Sequence, residues 1–158
     1  MADSIRYKDW LSKSSQDIKA ARVLKDNNCG NDIVTFHCQQ AIEKAFKGFL
    51  LFHTSELEEG HSLIFLCKSA SSFNIAFKNY LKDCAFVNQY YIETRYPADN
   101  PLVVTDDEAD ECIKIAKNIY EYIESKLCMN DKGEGDYTKE RKELHKDINL
   151  DEIKRSLE

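Results

Sequence analysis

The side chains best suited to hold a phosphate lie in the stretch YYIETRYPADNP, residues 90–101. Arg95 can offer a planar fork of donors to a phosphate, and Tyr90, Tyr91 and Tyr96 beside it can stack on a base or hold the loop. The competing role for Arg95 is an ion pair with Glu93, Asp106 or Asp107, and the carboxylates crowding this loop favour it. Lys44 and Lys47, in FHCQQAIEKAFKGFL at 36–50, would add positive charge if the two segments were neighbours. Their simpler role is a solvated face on which Glu43 pairs with Lys47 one turn later. His37 and His61 could move protons, but His61 stands where a helix begins and suits orienting the preceding loop. The four histidines make no HExxH and the six cysteines no C-x-x-C, so neither a metal site nor a cofactor is expected.

The elements that must position these groups read as helices. Trp10, Ser14, Asp17, Ile18, Ala21 and Leu24 recur at helical spacing until DNNCGN at 26–31. A second helix covers about Asp32 to Phe52, with Val34, Cys38, Ala41, Ile42, Ala45, Phe49 and Phe52 on one side. His61, Leu63, Ile64, Leu66 and Cys67 predict a short third helix. Phe73, Phe77, Tyr80, Leu81, Cys84, Asn88 and Tyr91 mark a long fourth. Both prolines fall in the loop at 93–104, and Thr105 with Glu108 in TDDE forms a capping box that starts a fifth helix near Asp106. Its stripe runs from Ala109 through Cys112, Ala116, Ile119 and Ile123 to Leu127.

The fold class is therefore all-α, an up-and-down bundle of four or five helices over residues 1–128. Residues 129–158 form a charged extension whose Tyr137, Leu144, Ile148, Ile153 and Leu157 give a thin helical stripe. A formal charge of −6 excludes a global positive field for nonspecific nucleic-acid binding. No apolar run approaches a membrane span and the N-terminus has no signal-like core, so a cytoplasmic protein is expected. The cysteines fit helical apolar positions as free thiols.

Helix two raises a separate question. On a wheel of 100° per residue, Phe36, Gln40, Glu43, Lys47 and Leu51 lie opposite its apolar arc. Apolar residues interleaved with Gln, Glu and Lys on an outer face suggest contact with another helix, subunit or ligand. Gln40 and Glu43 there would be polar anchors fixing register or a dimer seam.

Trp10 with Asp17, Ile18 and Ala21, the FHCQQAIEKAFKGFL block, HSLIFL at 61–66, YYIETRYP at 90–97 and TDDEADECIKIAKNIYEYI together resemble the HEPN family, named for higher eukaryotes and prokaryotes nucleotide-binding. The resemblance spans about residues 7–127. It implies a helical bundle, a homodimer, and work beside a small nucleotidyltransferase. Some family members are metal-independent ribonucleases in which four to six residues separate an arginine from a histidine. Here Arg95 is followed by Tyr96, Pro97, Ala98, Asp99, Asn100 and Pro101, with no histidine, while Arg141 and His145 have only three residues between them and lie in the extension. The sequence therefore reads as a non-catalytic module that binds a nucleotide, an RNA or a nucleotidyltransferase. The alternative is a toxin-like ribonuclease in which Arg95 meets His37 or His61 across a dimer.

Overall fold

The computed structural model describes residues 2–93 and 96–131. Its helices are α1 (Tyr7–Asp26), α2 (Asn31–Thr54), α3 (Leu63–Ser71), a 3₁₀ helix (Ile75–Tyr80), α4 (Leu81–Asn88), α5 (Tyr90–Glu93) and α6 (Asp106–Asp131). The molecule is an all-α, up-and-down bundle with no strand among the described residues. Arg95 lies outside them, as does the charged extension read at 129–158 except for its first three residues, which continue α6.

The bundle is built around α2, which touches α1 most extensively and then α6, α3, α5 and α4. A helix surrounded in this way needs apolar or small residues nearly all round, and Val34, Cys38, Ala41, Ile42, Ala45, Phe46, Phe49 and Leu50 are all buried. Phe77 reaches in from the 3₁₀ helix and packs edge-on against Phe46 and Phe49, at 5.6 and 4.8 Å between ring centres. From α6, Ala109, Cys112, Ala116, Ile119, Ile123 and Leu127 close the core as the stripe predicts. The α1–α2 contact is close because Gly48 faces α1: a β-carbon there would sit 3.2 Å from the Tyr7 carbonyl oxygen and 3.3 Å from Trp10 Cβ. Ser14, fully buried in the same seam, donates to the Ala41 carbonyl at 2.6 Å.

The long fourth helix is a correction. Its apolar spacing is real, with Phe77, Cys84, Val87 and Tyr90 buried, yet the backbone is divided into the 3₁₀ helix, α4 and α5. Two asparagines stand at the breaks: Asn74 caps the start of the 3₁₀ helix, and Asn88, the last residue of α4, commits its side chain to the start of α3. Asn74 accepts from Ala76 N and donates to the Tyr122 hydroxyl, and Asn88 accepts from Leu63 N at the start of α3. The third helix also begins later than His61, because Ser62 is its cap and accepts from Phe65 N. The Thr105–Glu108 capping box forms as read, with reciprocal bonds of 2.9 and 3.2 Å.

Candidate functional site

The mixed face of α2 is a polar network centred on Glu43. This carboxylate is 5% exposed, and an ionised carboxylate taken out of water needs its lone pairs filled. Both oxygens are engaged. Oε1 receives Lys47 Nζ at 3.0 Å and faces His61 Nδ1 at 2.9 Å. Oε2 receives Gln39 Nε2 at 3.2 Å and Gln40 Nε2 at 3.4 Å. The two glutamines are tied together, Gln40 Nε2 donating to Gln39 Oε1 at 2.8 Å, and Gln39 also donates to the His61 carbonyl at 3.3 Å. Gln39 and Glu43, like Glu43 and Lys47, are one helical turn apart, so α2 preorganises three of the members itself. His61 is delivered by the loop before α3 and is held flat against Tyr91 of α5, ring centres 5.1 Å apart and planes 17° apart. Lys47 is buried at 6% exposure, with its ammonium 5.9 Å from the centre of the Trp10 ring.

A second carboxylate repeats the pattern towards α1. Asp17 Oδ1 faces His37 Nδ1 at 2.9 Å, and Oδ2 receives Lys44 Nζ at 2.6 Å. Lys44 also borders a cleft of about 620 Å³ over Trp10, lined as well by Asp3, Asp9 and Lys13. At the far end, Asp106 accepts from Asn31 at 3.0 Å and from Lys25 at 3.3 Å, which holds its carboxyl below the usual range.

The sequence candidates are therefore distributed as follows. Lys44 and Lys47 do not stand as free positive charges, because each is neutralised by a carboxylate. Glu43, Lys47 and Leu51 are buried, leaving half-buried Phe36 and Gln40 as the open part of the mixed face. Tyr91 is the stacking partner of His61, and Tyr96 is 68% exposed. Arg95 lies outside the described residues, so its ion pair or phosphate contact is not placed. Asp17 as the anchor of His37 and Lys44, and Gln39 as a bridge to the His61 loop, were not read from the sequence. The one legible hint was Asp17 on the apolar face of α1, where an acid needs a partner. Among the described residues no group of three or more His, Cys, Asp or Glu is set to hold a metal, and no helix is long and apolar enough to cross a membrane.

The family model for the HEPN domain matches residues 7–126, the whole bundle including both carboxylate clusters. The chain belongs to the HEPN domain family. This HEPN chain is 28% identical over 138 residues to a Methanocaldococcus jannaschii protein named "Putative toxin MJ1304", covering 78% of this chain and 90% of the relative. The crystal structure of ST0689, an archaeal HEPN homologue, superposes with a TM-score of 0.63 at 27% identity, over 77% of this chain and 98% of the other. The crystal structure of TT1696 from Thermus thermophilus gives a TM-score of 0.63 at 26% identity, over 78% of this HEPN chain and 99% of its own.

Proposed function

We propose that this HEPN chain is a non-catalytic binding module that acts as a homodimer and engages a nucleotide or a nucleotidyltransferase partner. The observation that carries the reading is the His61–Tyr91 stack on the saturated Glu43 cluster: a rigid, partly exposed aromatic edge on buried polar support, of the kind that orients a base or a phosphate. Phe36 and Gln40, left half-open on the same helix, support contact with a second copy. The absence of a histidine four to six residues after Arg95 supports a role in binding over cleavage. Calorimetric titration of the full chain with ATP, GTP and a short RNA tests the nucleotide half. Heat with at least one is expected, and no heat with any of them removes it.

The ribonuclease alternative draws on the relative whose name includes the word toxin and on a half-exposed imidazole seated on a carboxylate. It requires cleavage of total RNA in the presence of EDTA, lost in both Arg95→Ala and His61→Gln. Intact RNA sets this alternative aside.

A further inference from the structure

We propose that His61 is the phosphate-contacting group of this chain and that it takes the phosphate of a mononucleotide in its protonated form. The proposal rests on the nucleotide reading above and names the contact and its proton linkage.

The argument begins with charge. Glu43 and Lys47 are both buried and 3.0 Å apart, so the inner pair is neutral as a unit. Lys44 is cancelled by Asp17 in the same way. Among the described residues, the lysines of this face therefore add no net charge, and the imidazoles decide its sign. An ionised carboxylate only accepts, so neutral His61 must carry its proton on Nδ1 to bond Glu43 Oε1 at 2.9 Å. Its Nε2 then carries a lone pair, which repels a phosphate oxygen. Protonation adds an N–H at Nε2 and gives the Glu43–Lys47–His61 cluster a charge of +1, turning the same edge into a charge-assisted donor. Nε2 has no partner among the described residues, and the His61 side chain is 56% exposed, so a ligand can reach it.

Geometry adds to this. The Tyr91 stack and the Nδ1 bond together fix the plane and direction of the ring, so a phosphate meets a preset donor and not a freely turning side chain. Among the described residues, the titratable groups set against that ring are Glu43 and Lys47 from α2 and Tyr91 from α5. One imidazolium suits one phosphate. A long strand needs a row of uncompensated cations, whereas the lysines on this face are paired and the chain carries a net charge of −6. A mononucleotide fits better than a polymer.

Because the anion binds the protonated imidazole, binding is expected to be tighter at the lower pH. The test is calorimetry of the full chain with ATP at about pH 6 and about pH 8, each in two buffers of different ionisation heat, on wild type, His61→Gln and His37→Gln. Wild type and His37→Gln should take up roughly one proton on binding at the higher pH. His61→Gln should take up less by that amount and bind at least ~10-fold more weakly at the lower pH; its residual pH dependence reports the ligand's own protonation. Side-chain ¹H–¹⁵N spectra of wild type, which need no variant to fold, should show His61 Nε2 becoming protonated as ATP is added. ATP binding with no proton uptake, or with His61 Nε2 unchanged, overturns the inference and leaves the nucleotide reading standing. Uptake lost in His37→Gln and kept in His61→Gln moves the contact to the Asp17 cluster and overturns it too. Binding of a short RNA but not ATP overturns the mononucleotide assignment, and no binding of either overturns both readings.

Discussion

Lys47 and His61 meet on one oxygen of Glu43, the ammonium at 3.0 Å and the imidazole nitrogen at 2.9 Å. One comes from the middle of α2 and the other from the loop before α3, so a single buried carboxylate ties helix to loop. Removing it should be costly. Glu43→Leu strands Lys47 in a site where it is 6% exposed, and breaking a buried pair from one side costs about 3–5 kcal/mol. Urea denaturation should show a loss of that order, and the double variant Glu43→Leu with Lys47→Met should recover much of it. A single variant as stable as wild type is incompatible with a buried pair.

Gly48 marks the closest approach of α1 to α2. Gly→Ala in an open helix stabilises by about 1 kcal/mol, but here the new methyl meets the Tyr7 carbonyl oxygen at 3.2 Å and Trp10 Cβ at 3.3 Å, and neither is the free end of a flexible chain. Gly48→Ala should therefore destabilise by about 1–3 kcal/mol, seen as a lower urea midpoint with an unchanged slope. A higher midpoint means the helices can part without cost.

The thiols should divide by burial. Cys29 and Cys128 are exposed, while Cys38, Cys67, Cys84 and Cys112 are buried. Burial pushes the Cys112 thiol up to about 12 and raises Cys38, and the thiolate is the reacting form. An aromatic disulfide reagent at neutral pH should modify Cys29 and Cys128 quickly and the other four upon unfolding. Fast reaction of all six would mean a core open to solvent.

Self-association is best tested at Gln40. Lys47→Glu would set two carboxylates together in the buried cluster and reduce stability whatever the oligomeric state, so it cannot report on an interface. Gln40 is half-buried at the edge of the network, and Gln40→Lys puts a charge on the open part of the face. Sedimentation at several concentrations should give a dimer for wild type and a weaker one for Gln40→Lys. A wild type that stays monomeric throughout removes the homodimer.

Much of the helical plan was legible because it rests on local physics. The capping box at Thr105 and Glu108, the α6 stripe from Ala109 to Leu127 and the Glu43–Lys47 turn pair each depend on residues three or four apart, and spacing alone reveals such pairs. The fourth helix failed for a non-local reason. Asn88 is spent on the backbone of Leu63, 25 residues earlier, and apolar periodicity carries no record of that bond.

The sequence by itself determined an all-helical chain with a mixed second helix, since helix and stripe are set by near neighbours, and its motifs carried the HEPN resemblance. Only the tertiary structure decided what that mixed face is. Asp17 cancels Lys44 across 27 residues and His61 reaches Glu43 across 18, so the neutralisation of Lys44 and the seating of His61 rest on groups whose proximity exists only after packing. A charge acts through distance in space, and distance along the chain says little about it.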